Sequence, residues 1–249
     1  MAEQSCSLLC RVRDLPSTLV TNLAAIIEAM VRHWPGPLGY GLRTRYYRKR
    51  LKHLGKGVLI DPGVRFFGLK HISIGDGTHI YFECVICAGP AAPNQAEVRR
   101  LPNEHFAGAD GEVHIGRGVH MAAGCYILGN GGVQIGDYCG LAGGTRILSM
   151  TYHYASFADR SRRDVYFGIE GGTSHACYLF SPVVLGCNVG VASNAVILPG
   201  TTLGDDCFVT IGSVVHYGEV QPNLVVSGNP ARGIKHRFAS AKDAAVPKT

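Results

Sequence analysis

The chain has 249 residues, 46% hydrophobic and 17% charged, so it can bury a core and does not have the composition of a disordered protein. Its net charge of +6 is local, because six basic residues lie between Arg43 and Lys52, and no aromatic-basic motif accompanies them that would favour nucleic-acid binding. Cys84 and Cys87 have no second pair at metal-binding spacing, which disfavours zinc. No secretory signal or membrane-spanning apolar run is visible, so we expect a cytoplasmic protein with reduced thiols.

Two helices are predicted at the N-terminal end. Residues 17–34 carry apolar side chains at helical spacing, and Pro35 and Pro37 end the pattern. Residues 38–54 predict a second, basic helix whose protein-facing side chains are Leu42, Tyr46, Leu51 and Leu54. The basic segment 43–52 fits two roles. It can dock on an anionic membrane surface or a lipid-linked glycan, or it can be the solvated face of a cap over the following domain.

An aliphatic residue then recurs at every sixth position. The uninterrupted series are Ile74, Ile80 and Ile86; Ile115, Met121 and Ile127; Ile135, Leu141 and Ile147; and Leu185, Val191, Ile197, Leu203, Val209 and Val215. The fourth residue after most of them is small: Thr78, Cys84, Val119, Cys125, Cys139, Thr145, Val189, Ala195, Thr201, Cys207 and Ser213. This period fits neither a helix nor a sandwich strand, but it fits a prism with one short strand and one turn per face. The sequence therefore predicts an all-β core, a left-handed parallel β-helix of hexapeptide repeats.

The interruptions of the repeat all leave the prism at one corner, because one full coil separates each from the next. Two are long: the first excursion, residues 87–114, and the second excursion, residues 148–184. They lie two coils apart, about 10 Å along the axis, so they can share a pocket. The predicted organisation is an N-terminal helical extension, residues 1–55, a β-helix domain, residues 56–228, and a C-terminal tail, residues 229–249.

Several motifs go beyond the bare repeat. They are Ile135-Gly-Asp, Thr151-Tyr-His-Tyr154, the stretch from Ile197 to Asp205, Gly212-Ser-Val-Val215, and Ser227-Gly-Asn-Pro-Ala-Arg-Gly-Ile-Lys235. Together they resemble the hexapeptide-repeat O-acetyltransferases, the group of galactoside, maltose and many polysaccharide acetyltransferases. The resemblance implies a homotrimer with active sites between neighbouring prisms. It also implies acetyl transfer from acetyl-CoA, without a metal, to a hydroxyl of a sugar or polysaccharide precursor.

The resemblance also assigns residues. His153 matches the family's general base. The cofactor residues that it implies are Ser193, Ile211, Gly212, Ser213, His216, Tyr217, Arg232 and Lys235. The acceptor residues are Asn130, Tyr152 and Arg160. The chain departs from the family at Gly190, where a tryptophan is usual, at Ile211, where an alanine is usual, and at His216-Tyr217, where a Thr-Lys pair is usual.

Acetyl transfer to an alcohol needs a base that accepts the hydroxyl proton near neutral pH, and histidine does so. We expect direct attack within a ternary complex, with His175 of the same excursion as the competing base. A cysteine acyl-enzyme is disfavoured because the repeat cysteines are predicted to be buried. Two other functions remain open. One is a non-catalytic trimeric scaffold, and the other is a metal-dependent, carbonic-anhydrase-like enzyme that would use outward residues such as His114 and His120.

Overall fold

Three sheets of short parallel strands wind around one interior in the computed structural model, which describes residues 15–91, 96–167 and 175–239. Sheet 1 contains β1 (His53–Leu54), β4 (Ile72–Ile74), β8 (Val113–Ile115), β11 (Val133–Ile135), β16 (Val183–Leu185), β19 (Thr201–Leu203) and β22 (Gly218–Val220). Sheet 2 contains β2 (Leu59–Ile60), β5 (His79–Ile80), β9 (His120–Met121), β12 (Gly140–Leu141), β17 (Gly190–Val191), β20 (Phe208–Val209), β23 (Leu224–Gly228) and β24 (Ala231–His236). Sheet 3 contains β3 (Arg65–Phe67), β6 (Val85–Cys87), β10 (Tyr126–Leu128), β13 (Arg146–Leu148), β18 (Val196–Ile197) and β21 (Val214–Val215). The chain visits the sheets in the order 1, 2, 3 and returns to sheet 1 for the next coil, as a parallel β-helix requires. The predicted all-β fold, a left-handed parallel β-helix, is confirmed.

The interior of the prism follows the six-residue period. The aliphatic residues of the repeat are at most 3% exposed, and the small residues of the second series are at most 1% exposed. Burial raises the pKa of the Cys139 thiol to about 12 and also raises the pKa of Cys207. These thiols therefore pack as small apolar groups and are poor nucleophiles.

The turns between strands explain the recurring Gly, Asn and Asp residues. Most turns from sheet 1 to sheet 2 and from sheet 2 to sheet 3 contain one residue with positive φ, such as Gly118 at 62° or Asn194 at 58°. Carboxylates of the Gly-Asp pairs then tie successive coils together. Oδ1 of Asp76 accepts a hydrogen bond from the backbone N–H of Lys56 at 2.7 Å, and Asp205 accepts one from Cys187 at 2.7 Å.

The predicted excursions leave the prism at the corner between sheet 3 and sheet 1, which we call the 3–1 corner. The first connects β6 to β8, and the second connects β13 to β16, with only β10 between β6 and β13 in sheet 3. The placement of both excursions at one corner, two coils apart, is confirmed. The opposite edge of sheet 3, where the chain arrives from sheet 2, is called the 2–3 corner.

The N-terminal part contains α1 (Leu15–His33) and α2 (Gly36–Arg48). Helix α2 covers the open end of the prism. Tyr47 is fully buried and its ring centroid lies 4.8 Å from that of Phe66. Arg43 is fully buried as well: Nε donates to the carbonyl of Ile60 at 2.6 Å and Nη1 to that of Trp34 at 2.6 Å.

These details correct the sequence prediction at several points. The second helix ends at Arg48, and Leu54 belongs to β1, so the first strand lies inside the predicted 1–55 extension. Leu42 was expected to face the protein but is 41% exposed, because Arg43 and Tyr47 take the inward positions. Arg43 was expected on a basic surface and is instead a buried part of the cap. At the other end, the predicted 229–249 tail contains β24, which pairs antiparallel with β23. Residues 240–249 of this tail lie outside the described residues.

Candidate functional site

The two long excursions form a small sheet of their own. Its strands are β14 (Met150–Tyr152), β15 (Cys177–Phe180) and β7 (Glu97–Arg100). Strands β14 and β15 are antiparallel within the second excursion, and β7 of the first excursion pairs in parallel with β15. The first excursion therefore touches the second directly, at the predicted corner.

His153 follows β14 and is fixed by the loop that it begins. Its backbone N–H donates to the carbonyl of Cys177 at 2.8 Å, and Nδ1 lies 2.6 Å from the carbonyl oxygen of Ala155. A carbonyl oxygen only accepts, so this short contact favours the tautomer with the ring proton on Nδ1, in which Nε2 carries the lone pair. The ring stacks on Tyr154 and Phe157, with centroids 4.6 and 4.3 Å away. The half-buried imidazole is therefore held in one orientation with a basic nitrogen available.

A carboxylate of the first excursion holds this loop. Oε1 of Glu97 accepts hydrogen bonds from the backbone N–H groups of Phe157 at 2.6 Å and Ala158 at 2.8 Å. Desolvation alone would raise the pKa of the Glu97 carboxyl, but its hydrogen bonds, including those from the loop backbone, hold that pKa below its usual value. Sequence analysis did not identify Glu97, because it lies outside the repeat and its partners are sixty residues away.

The predicted acceptor residues are spread over the same corner. Asn130 lies between β10 and β11, and its Nδ2 donates to the carbonyl of Gly89 at 2.9 Å, at the root of the first excursion. Tyr152 is half exposed, and its hydroxyl lies 3.3 Å from that of Tyr178. This hydrogen bond is the main cause that raises the pKa of Tyr178 to about 12. Arg160 lies in the loop that begins at His153, and its guanidinium donates to the hydroxyl of Tyr154 at 3.0 Å.

His175, the competing base, is engaged with other side chains. Its Nδ1 lies 3.0 Å from Oδ2 and 3.0 Å from the backbone carbonyl of Asp164. Arg162 also contacts Asp164 at 2.6 Å and is the first cause of the lowered pKa of that carboxyl. His175 thus belongs to a hydrogen-bonded cluster with Asp164 and Arg162 in the second excursion.

A cavity of about 470 Å³ opens between the first excursion and the end of β15. Arg100 stands at its wall, with its guanidinium 2.9 Å from Asp110 and 4.5 Å from the ring centroid of Phe180. The other lining residues are Leu101, Pro102, Asn103, Phe106, Gly108, Gly131 and Pro182. Most of the lining comes from the first excursion.

Some of the predicted cofactor residues lie at the 2–3 corner. The backbone N–H of Gly212 donates to the carbonyl of Ser193 at 3.0 Å, so these two turns stack along the axis, and Ile211 beside them is 71% exposed. The Ser213 side chain is buried and bonded to Thr210 at 2.9 Å, so only its backbone can face a ligand. A Cβ at Gly190, where the family usually has a tryptophan, would lie 2.7 Å from the ring of Phe208.

The other predicted cofactor residues lie in the last coils of the prism, with His216 and Tyr217 at the 3–1 corner between β21 and β22. His216 and Tyr217 follow β21, and His216 Nε2 lies 3.4 Å from Oδ1 of Asn229. Together with Arg232 of β24 they line a cavity of about 350 Å³. Lys235 is exposed on the same strand.

The predicted site residues of the chain therefore lie at two corners. The 3–1 corner holds His153, Tyr152, Asn130 and Arg160 and, in a later coil, His216 and Tyr217, whereas the 2–3 corner holds Ser193 and Gly212. Within the ranges 15–91, 96–167 and 175–239, no group of three or more His, Cys, Asp or Glu side chains is arranged to hold a metal ion. His114 and His120 lie on different sheets, as predicted.

No established protein-family profile matches the chain. Galactoside O-acetyltransferase of Escherichia coli strain K12 is 31% identical over 123 residues, which are 49% of this chain and 53% of that protein. The match thus spans about half the length of that relative. The dTDP-4-amino-4,6-dideoxy-D-glucose acyltransferase of Escherichia coli is 26% identical over 188 residues, 75% of this chain and 82% of that protein.

Among solved structures, the N-acyltransferase AntD from Bacillus cereus, in complex with dTDP-4-amino-4,6-dideoxyglucose and coenzyme A, superposes with a TM-score of 0.62. It is 19% identical, and the match covers 79% of this chain and 90% of that structure. The sequence similarity to galactoside O-acetyltransferase confirms the resemblance to hexapeptide-repeat acetyltransferases that the motifs indicate, and the superposition confirms the fold.

Proposed function

We propose that this chain is an acyltransferase that transfers an acetyl group from acetyl-CoA to a hydroxyl of a sugar or polysaccharide precursor, with His153 as general base. The observation that carries the proposal is the contact of 2.6 Å between Nδ1 of His153 and the carbonyl oxygen of Ala155, which favours the tautomer with the lone pair on Nε2. Similarity to a galactoside O-acetyltransferase supports the reaction class and the sugar acceptor.

The chemistry follows from this geometry. As the acceptor oxygen attacks the thioester carbonyl carbon, Nε2 of His153 takes the hydroxyl proton. Collapse of the tetrahedral intermediate breaks the carbon–sulfur bond, and the thiolate of CoA recovers that proton from the imidazolium. The hydrogen bond from Nδ1 to Ala155 persists throughout and stabilises the imidazolium charge. No acyl-enzyme is required, in keeping with the buried repeat cysteines.

A direct test measures thiol release from acetyl-CoA with a panel of sugar acceptors. His153→Ala should lower kcat by about two to four orders of magnitude. His175→Ala is the matched control, since His175 lies in the same excursion but is engaged with Asp164. If both variants keep activity within tenfold of the wild type, or if His175→Ala is the more damaging, His153 is not the base.

An amino-sugar acceptor is a second candidate. Both the Escherichia coli relative with the longer match and the Bacillus cereus structure are named for acyl transfer involving dTDP-4-amino-4,6-dideoxyglucose. The same base would then take a proton from the attacking amine. Parallel assays with a hydroxyl sugar and its amino counterpart, at equal concentration, separate the two candidates by their kcat/KM ratio.

We also propose a homotrimer in which the 3–1 corner of one protomer faces the 2–3 corner of the next. The separation of His153 at the 3–1 corner from Ser193 and Gly212 at the 2–3 corner supports this arrangement. Mixed trimers of His153→Ala and Ser193→Trp should recover activity, because about a quarter of their interfaces combine two intact corners. Mixed trimers of His153→Ala and Glu97→Ala are the control, since both changes affect the same corner and no interface becomes intact. Equal recovery in both mixtures, or none in either, contradicts a shared site.

The acceptor is a carbohydrate and, in the lipid-linked case, lies at the cytoplasmic face of a membrane. The basic segment 43–52 is the part of the chain that we propose to contact that surface, through exposed residues such as Arg45, Arg48 and Lys49. None of the described helices is long and apolar enough to cross a bilayer.

A further inference from the structure

Helix α1 is turned so that its polar side chains face the protein. Glu28 and Arg32 form an ion pair at 2.8 Å, their side chains are only 24% and 19% exposed, and the carbonyl of Arg32 accepts a hydrogen bond from Gly63 of the prism. The opposite side of the helix carries Leu23, Ile26, Ile27 and Met30, which are 45–59% exposed. A helix that packs on a protein in water normally turns its apolar side inward. This orientation indicates that another apolar phase covers the outer side.

The outward side of α2 continues this surface and then becomes basic. Leu38, Leu42, Arg45 and Lys49 recur at intervals of three and four residues, so they lie along one line on the helix. Leu38 is 76% exposed and Leu42 is 41% exposed, whereas Arg45 and Lys49 follow at the C-terminal end. We call the α1 residues Leu23, Ile26, Ile27 and Met30, with Trp34, Leu38 and Leu42, the cap surface.

Positive charge is concentrated beside the cap surface. Residues 15–52 contain seven Lys or Arg residues and one acidic residue. The whole chain has 24 Lys or Arg and 18 Asp or Glu residues, so the rest of the chain has seventeen basic and seventeen acidic residues. The end of α2 also borders a cavity of about 410 Å³ against the 3-10 helix Leu69–His71. Its charged lining consists of Lys49, Arg50, Lys70 and His71. An exposed apolar side next to a basic pocket is the pattern of a helix that lies in an anionic membrane interface.

We propose that the cap surface binds an anionic lipid membrane, with the apolar side of α1 in the interfacial region and a lipid phosphate in the basic pocket of Lys49, Arg50 and Lys70. A second copy of this chain is a poorer occupant, because a two-fold contact between cap surfaces would bring two basic rims together. The inference extends the membrane contact proposed for segment 43–52. Its test measures membrane binding and does not use acyl transfer, so this inference and the proposed acyltransferase activity can fail separately.

The full chain is mixed with vesicles of phosphatidylcholine alone or with phosphatidylglycerol added, and bound protein is measured by sedimentation. Wild-type protein should bind the vesicles that contain phosphatidylglycerol, and added salt should weaken binding. The double variant Ile27→Gln, Met30→Gln should bind at least about tenfold more weakly, since two apolar side chains no longer leave water. Lys49→Gln, Arg50→Gln should lose about fivefold per cation removed, only on the anionic vesicles. Phe238→Gln is the matched control, because Phe238 is 48% exposed at the other end of the chain, and it should bind like the wild type.

Trp34 gives a readout that needs no substitution. It is the only tryptophan of the chain, it is 44% exposed, and it lies in the cap surface. Its emission should shift to shorter wavelength with anionic vesicles and remain unchanged with phosphatidylcholine alone. An unshifted spectrum, or wild-type binding by the Ile27/Met30 variant, overturns the proposal. So does a lower oligomer mass of that variant in light scattering without vesicles, which would assign the surface to a contact between copies.

Discussion

Glu97 should control the rate of the reaction although it does not reach the reacting atoms. Its Oε1 holds the backbone N–H groups of Phe157 and Ala158 at 2.6 and 2.8 Å, and the ring of Phe157 stacks on His153. Hydrogen bonds to a charged group contribute about 1.5–3 kcal/mol each. Because Glu97 is partly exposed, each bond is placed at the lower end of this range, so the two together contribute about 3 kcal/mol. Loss of this anchor lets the loop shift, and a shift of about 1 Å at a base can cost roughly a hundredfold in rate.

We therefore expect Glu97→Ala to lower kcat by about ten- to a hundredfold with the KM for acetyl-CoA unchanged. Glu97→Gln should lose less than about tenfold, because its amide oxygen still accepts both hydrogen bonds without the charge. Steady-state kinetics with acetyl-CoA and the best acceptor measure this. Asp76→Ala is the matched control, since Asp76 also accepts a backbone hydrogen bond, from Lys56 at 2.7 Å, but at a corner away from the excursions. It should lower the melting temperature without changing kcat. The reasoning is refuted if Glu97→Ala melts earlier but keeps a wild-type kcat.

Three further outcomes follow from the geometry. Arg232→Ala should raise the KM for acetyl-CoA about tenfold at low salt and less at high salt, and should leave the acceptor KM unchanged. The reason is that Arg232 lines the cavity at the end of the prism and CoA is anionic. A change in the acceptor KM alone would assign that cavity to the acceptor. Native thiol labelling read by mass spectrometry should modify exposed Cys187 first and spare buried Cys84, Cys125, Cys139 and Cys207, and fast labelling of those four would contradict the register of the repeat. The lowered pKa of Glu97 means that its stabilising effect is complete above the ordinary glutamate pKa of about 4.3 and is lost as the pH falls through the lower value of the folded protein. Melting temperatures of the wild type and Glu97→Gln should therefore converge on acidification, and a constant difference would contradict this account.

The prism could be predicted because its interior imposes a strict rule on the sequence. Each inward position holds one aliphatic or one small residue. The spacing alone therefore predicts that pairs such as Ile74 and Thr78, or Ile135 and Cys139, are buried. The same rule locates every departure from the prism, which is how the 3–1 corner was identified. The cap does not follow such a rule. Helix α1 has a clear apolar side, but periodicity states only that Leu23 and Ile27 share a side, and the contacts of Glu28 and Arg32 decide which way it faces.

The candidate site shows the same contrast between residues that a sequence pattern marks and residues that only long-range contacts bring into place. His153 could be assigned because it stands in a motif, Thr151 to Tyr154, that the resemblance recognises. The residue that fixes its loop could not, because Glu97 reaches Phe157 across sixty residues through a strand pairing that no repeat encodes. Strand β7 pairs with β15 only because the first excursion leaves the prism two coils before the second and both turn along the same edge. The regular repeat thus sets the distance between the excursions, and that distance lets a carboxylate of one position the base of the other.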